Sequence, residues 1–311
     1  MAASSGSGKG ASVLCAGIGV QDIVMRVPSF PPPGGKIMAD DFMIVTGGCA
    51  LNAAIAVARL GGAAHYAGPL GDPADPVSNQ LMAELARESI GTAGVVRVSG
   101  AKAPVSAILV DSTGERLIAT YRHSDISSAQ IDNPDRLVAD ATVVLADNRF
   151  PDFVRPVCEA ARRRNLVTVL DADMPTVEDD PLFAIATHVV FSSECLRETT
   201  GLRDLAEGLL RIAQRTRSFL AVSNGPEDVL YISGGALQRM KAFKVKVVDT
   251  LAAGDVFHAG FALALAEGRG ELSAMRFGAA AAALKCMRFG GSQGAPQRAE
   301  VDQFLARPLM P

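Results

Sequence analysis

Asp255 stands where a carboxylate could remove a proton from an alcohol. It closes the run Asp249-Thr250-Leu251-Ala252-Ala253-Gly254-Asp255. The three residues before it are small, and a turn without bulky side chains leaves its backbone N–H groups open. Beyond it, Phe257, Phe261 and Leu265 fall at i, i+4 and i+8, so a helix with an apolar stripe is expected to begin near Gly254. A helix N-terminus carries partial positive charge, and with open amides it forms an anion site. For a phosphoryl group, the amides of Ala252, Ala253 and Gly254 would stabilise the transferring charge while Asp255 served as base. A carboxylate at a helix start is also an ordinary favourable cap, and position alone does not separate the two roles.

A second stretch is also built for close backbone approach. Gly47-Gly48-Cys49-Ala50-Leu51-Asn52 places a glycine pair before an Ala-rich helix that runs to Leu60-Gly61. Asn52 reads either as a ligand-facing amide or as a surface helix residue. Asp22 follows the glycines that end the first apolar strand, Ser12 to Ile18, and reads as a turn residue or as an acceptor for two hydroxyl donors. Two apparent nucleotide motifs fail. Gly8-Lys9 lacks the other residues of a P-loop and has no strand before it. Gly17-Ile18-Gly19 has Asp22 at the third glycine position and is followed by strand-like Ile23 to Val27.

The elements that must position these residues alternate. Strands are expected at His65–Gly71, Thr142–Ala146, Val167–Leu170, His188–Phe191 and Phe219–Ser223. Helices are expected at Val77–Ser89, Phe153–Arg164 and Leu202–Arg215, with a final Ala-rich helix from Phe277 that closes at Gly290-Gly291. Phe243 to Val248 reads as β-rich. Short apolar runs between helices argue for a mainly parallel central sheet flanked by helices on both faces. Ligands gather at the carboxyl ends of such strands, where Asp147, Asp171, Ser192 and Asn224 fall. Residues 20–46 and 103–122 read as hairpin-type excursions from that sheet, the second turning at Ser112–Glu115. Residues 1–11 read as a flexible tail before an α/β domain over 12–311.

Asp249-Thr-Leu-Ala-Ala-Gly-Asp255 and the Gly47-Gly48…Asn52 segment together resemble the signatures of the ribokinase-like, or PfkB, carbohydrate kinases. The resemblance implies a ribokinase-like α/β fold with a small β-sheet lid over a sugar. It implies ATP-dependent transfer of a phosphoryl group to a sugar hydroxyl, with Asp255 as base. By the same resemblance Asp22, Gly47, Gly48 and Asn52 meet the sugar, and Gly225 approaches ATP phosphates, although Asn224-Gly225 also reads as a plain turn. Ala281 and Lys285 flank the adenine. Asp249 gives a carboxylate to a monovalent cation, expected to be K+, whose other ligands are backbone carbonyls. The family's Asn-x-x-Glu segment, which helps to place Mg2+, aligns with Ser192 and Cys195, leaving Glu194 one residue out of place as the candidate carboxylate.

Within the family the chain is most similar to the bacterial branch of 6-deoxy-6-sulfofructose kinase and related ketose kinases. The similarity shows in Leu145-Ala-Asp-x-Arg149, Thr168-Val-Leu-Asp171-x-Asp173 and Ala283-Leu-Lys-Cys286. Lys36 and Arg149 match two of that branch's three sulfonate-reading residues, and Thr120 takes the position of the third. Two converging cations would favour an anionic end on the sugar; exposed rim charges are the plain alternative. A nucleoside kinase on the same fold would use the same Asp255, and a sugar-binding regulator without catalysis is the reading outside that class.

Composition narrows the remaining classes. The 311 residues are 49% hydrophobic with a net charge of −3, which suits a large α/β core and excludes a basic nucleic-acid or membrane-binding face. No apolar run reaches the roughly 18 residues of a membrane span. The five scattered cysteines read as free thiols in a reducing compartment, so a cytoplasmic location is expected. The four histidines lack metal-ligand spacing, and His258 reads as structural rather than catalytic. Exposed lid strands give an expectation of a homodimer.

Overall fold

Short apolar runs that lack polar alternation need cover on both faces, and the computed structural model, which describes residues 10–307, gives it to them. The strands in chain order are β1 (Ser12–Ala16), β2 (Val20–Arg26), β3 (Asp41–Gly47), β4 (Ala63–Leu70), β5 (Gly91–Arg97), β6 (Val105–Val110) and β7 (Arg116–Tyr121). They continue as β8 (Val143–Asp147), β9 (Val167–Ala172), β10 (His188–Ser192), β11 (Phe219–Ser223), β12 (Val229–Ser233) and β13 (Ala236–Met240). The helices are α1 (Cys49–Arg59), α2 (Pro76–Arg87), α3 (Pro134–Leu137), α4 (Pro151–Arg163) and α5 (Pro181–Ile185). After them come α6 (Ser193–Thr200), α7 (Leu205–Ile212), α8 (Ala253–Ala266), α9 (Glu271–Cys286) and α10 (Arg298–Ala306).

Nine strands form the main sheet in the order β13-β12-β11-β10-β9-β8-β1-β4-β5. Every pairing from β5 through to β11 is parallel, and β12 and β13 extend the sheet as an antiparallel hairpin. Leu51, Ile55, Leu81, Phe257, Met275 and Val301, from α1, α2, α8, α9 and α10, cover one face. Phe153, Val157, Phe183, Leu196 and Leu209, from α4 to α7, cover the other. A separate four-stranded sheet has the order β3-β2-β6-β7. Its inner face, with Val24, Val45, Ile108 and Val110, packs on Leu251 of the turn before α8.

Four expectations change. Phe243 to Val248 is not a strand: no neighbour pairs with it, and Val248 N and Asp249 N donate instead to Cys286 O. The helix expected over 202–215 is shorter, because Gly201 ends α6 in the left-handed region and Asp204 caps the start of α7. The last long helix begins earlier, at Glu271, and stops at Cys286, and Gly291–Gly294 forms a separate 3-10 turn. The apolar stripe of α8 widens to cover all sides, since Val256 through Ala264 are all buried. The tail expectation for residues 1–11 falls almost wholly outside the described residues.

Helix α8 is held unusually close to α9. A Cβ on Gly260 would lie 2.8 Å from Gly278 Cα, and one on Gly278 would lie 2.5 Å from Phe257 O. Only glycine at both positions permits that approach.

Candidate active site

The site lies where the small sheet meets the mouth of α8. Ala252, the N-cap of α8, takes a left-handed conformation with φ 62°, which turns the chain sharply into the helix. Among the described residues, the amides of Ala252, Gly254 and Asp255 have no protein acceptor. The Ala253 amide differs from expectation, because it donates to Thr250 O at 3.2 Å and so is not an open donor. Gly254 is exposed, and a Cβ there would meet no atom within 4 Å. Helix mouths normally leave such donors unpaired, and at Gly254 the backbone faces open space.

Asp255 is half-buried in the first turn of α8. Burial raises its pKa to about 7, Asn52 works against that, and the carboxylates of Asp173, Asp147 and Asp22 add to the rise. Asn52 Nδ2 donates to Asp255 Oδ2 at 2.6 Å. Asn52 therefore holds the carboxylate through Nδ2, while its Oδ1 is buried without a partner. His258 sits one turn further along. Burial lowers its pKa to about 4, so it is neutral, and its Nδ1 N–H donates to Gly254 O at 2.8 Å and lies 3.4 Å from Asp171 Oδ2.

Opposite lies a row across the small sheet. Asp22 of β2 is in register with Ser106 of β6, and Ser106 with Thr120 of β7. Asp22 is buried, which raises its carboxyl to about 6, while a hydrogen bond from Ser106 opposes the rise. Ser106 Oγ and Thr120 Oγ1 lie 3.0 Å apart. Ser106 was not a candidate from sequence, because only strand register reveals it as the link between Asp22 and Thr120. The glycine pair fits around the same acid. A Cβ on Gly47 would lie 2.0 Å from Asp22 Oδ2, and Gly48, at φ 88°, would place one 2.5 Å from Ile18 O.

Beneath them is an acidic floor. Asp147 is buried and accepts from Ile18 N at 2.8 Å, Arg149 N at 2.9 Å and Ala50 N at 3.1 Å. Burial still raises it to about 6. It ties β1 and the start of α1 to β8, a structural role. Burial and neighbouring carboxylates raise Asp171 well above the ordinary range. Ligand atoms of Cys49, Asp171 and Asp255 lie within 4.8 Å of one another. Burial and the surrounding carboxylates push the Cys49 thiol far up, so it stays protonated. A nucleotide-borne magnesium needs at most one or two carboxylates, and Asp171 and Asp255 offer suitable oxygens, whereas the Cys49 sulfur does not suit it.

Several candidates stand elsewhere. Arg149 pairs with Asp173, and its Nη1 lies 3.1 Å from Met174 Sδ. Lys36 is exposed in the irregular chain before β3. Glu194 is exposed on the first turn of α6 and joins no cluster of three ligating groups among the described residues. Ser192 caps α6 through its side chain, accepting from Cys195 N at 3.1 Å. Asn224 and Gly225 form the turn after β11, Gly225 exposed at φ 55°. Two expected adenine neighbours do not reach solvent. Ala281 is fully buried in α9 against α8, and Lys285 is fully buried on Asp249. Lys285 Nζ lies 2.9 Å from Asp249 O and 3.0 Å from Asp249 Oδ2, where the monovalent cation was expected.

The chain is similar to known sugar kinases over nearly all of its length. The chain is 26% identical to the ribokinase of Haemophilus influenzae over 292 residues, covering 91% of this chain and 95% of that one. A crystal structure from Agrobacterium tumefaciens, provisionally assigned as a ribokinase, superposes with a TM-score of 0.91 at 35% identity, covering 96% of this chain and all of that one. A fructokinase from Xylella fastidiosa, solved with bound ATP, gives 0.78 at 26% identity over 94% of this chain and 98% of that one. The family model for pfkB family carbohydrate kinases matches residues 11–298. With the helix-mouth amides, the acid beside them and the facing small sheet, this places the chain in the pfkB family of carbohydrate kinases, ATP-dependent enzymes that phosphorylate sugar hydroxyls.

Proposed function

We propose that this kinase acts on a small, neutral, polyhydroxylated sugar, with Asp255 as the general base. The observation that supports this most is the pairing of a carboxyl poised at about 7 with open amides at one helix mouth. A base near neutral pH matches the ideal for proton transfer under working conditions. The amides of Ala252, Gly254 and Asp255 would receive the transferring phosphoryl charge. Asn52 would fix the carboxylate, and Asp22, Ser106 and Thr120 would orient the sugar by its hydroxyls. Mg2+ carried on the ATP would supply charge neutralisation for the phosphates.

An acidic sugar is the less favoured substrate. Arg149 is already paired with Asp173, Lys36 lies on an exposed loop, and the carboxylates of Asp22, Asp147, Asp171, Asp173 and Asp255 converge on the site. ADP release should be measured with neutral pentoses and ketohexoses, phosphorylated and sulfonated ketoses, and nucleosides. Neutral sugars are expected to be turned over most efficiently. Preference for a sulfonated ketose would reverse this reading, preference for a nucleoside would move the enzyme to another substrate class, and absence of turnover across the panel would leave a binding protein.

We also propose that the outer face of the small sheet pairs with that of a second copy. Met25, Phe42, Ile44, Leu117 and Tyr121 are exposed there, Phe42 by 64%, and β3 and β7 leave open edges. Sedimentation of the wild type as a dimer, and of Phe42→Asp as a monomer, is expected. A monomeric wild type at micromolar concentration would refute it.

A further inference from the structure

The resemblance implies a monovalent cation on Asp249, and the residues present do not fit one. Both oxygens of the Asp249 carboxylate are engaged by the protein. Oδ1 accepts from Leu251 N at 2.8 Å; Oδ2 accepts from Lys285 Nζ at 3.0 Å, Gly290 N at 3.1 Å and Gly291 N at 3.3 Å. The Asp249 carbonyl, the kind of backbone oxygen a cation would use, accepts from Lys285 Nζ at 2.9 Å. Both side chains are fully buried. An ion could reach Asp249 only by displacing a lysine anchored on α9.

We infer that the Lys285 ammonium is a tethered substitute for that cation, so that this kinase works without potassium. An ammonium group and K+ are similar in size, and both are satisfied by oxygen ligands near 3 Å; here they lie at 2.9 and 3.0 Å. Tethering also supplies the charge at an effective concentration that free ions do not match. The position matters because Asp249 organises the catalytic turn: its Oδ1 fixes Leu251, one residue before the N-cap of α8. From Gly290 and Gly291 the network continues to Ser292, whose Oγ lies 3.2 Å from Thr46 Oγ1 at the end of β3. The charge at Asp249 therefore braces both the phosphate-facing turn and the strand that leads into Gly47.

The test compares protein freed of alkali cations in tetramethylammonium buffer with the same protein titrated with KCl at constant ionic strength. Two readouts are taken: the unfolding midpoint, and turnover with whichever sugar is accepted. Only the second rests on the kinase reading. A protein that does not bind the ion shows no linkage, so the wild-type midpoint should move by less than about 1 °C and turnover by less than about twofold up to roughly 100 mM K+. Lys285→Ala removes the charge and opens a hole beside Asp249. Its midpoint should fall, and K+ or ammonium should restore it saturably. Lys285→Met removes the charge but fills the space, so it should fall without being restored.

Saturable activation or stabilisation of the wild type by K+ would overturn the inference. So would a Lys285→Ala protein as stable and as cation-indifferent as the wild type. If Lys285→Ala does not fold, the wild-type titration still decides. A flat wild-type midpoint with no turnover on any sugar would defeat the proposed function and leave the ion substitution standing.

Discussion

Asp255→Asn is expected to lower kcat by about 10²–10⁴ while ATP binding survives, because the substitution removes a base and keeps the fold around it. The open amides belong to the backbone and are unchanged, and Asn52 Nδ2 can still donate to the new amide oxygen. The pH profile of the parent enzyme checks the same assignment. With the carboxyl at about 7, kcat/KM should climb with pH and reach half its plateau near 7. The profile of the variant should lose that limb. Stability should move the opposite way. The folded-state pKa is raised above the unfolded carboxylate value near 4, so the native state binds the proton more tightly between those values. Stability is thus fully present below pH 4 for this group and is lost as pH rises through 7. Asp255→Asn should then melt a few degrees higher than the parent at pH 8. A variant that phosphorylates sugar at the parental rate would end the assignment of Asp255 as base.

Gly48→Ala should be strongly destabilising. At φ 88° an alanine is strained, and its Cβ would lie 2.5 Å from Ile18 O and 3.0 Å from Gly19 Cα. Those are backbone atoms, so no side chain can swing aside. The neighbouring connections resist adjustment too, because Asp147 binds both Ile18 N and Ala50 N. A loss of about 2–4 kcal/mol is expected, a melting temperature lower by roughly 3–6 °C. Thermal unfolding checks this directly. An unchanged midpoint would mean that the turn into α1 is looser than its geometry states.

The candidate site residues were legible because their constraints are local. Small residues before Asp255 and the Gly47-Gly48 pair announce close backbone approach, and the alternation of apolar runs with helices announces a covered parallel sheet. What escaped depends on partners distant in sequence. Ser106 gains meaning only when β6 lies between β2 and β7, so that Asp22, Ser106 and Thr120 share a row. Phe243 to Val248 has the composition of a strand and no strand beside it. Asn52 pairs with Asp255 across 203 positions of chain. Ala281 and Lys285 sit on an Ala-rich helix that has an exposed leucine (Leu272) and a buried lysine, so no amphipathic pattern tells which face meets α8 and which meets a ligand.

The glycine contact between α8 and α9 decides which half of the enzyme can yield. With Gly260 and Gly278 backbone to backbone, α8 has no room to tilt toward α9. On the proposed reading, the phosphate end of the reaction would be an anvil. If a sugar must be pressed into line with it and water squeezed out, the travelling jaw would be the four-stranded sheet that carries Asp22.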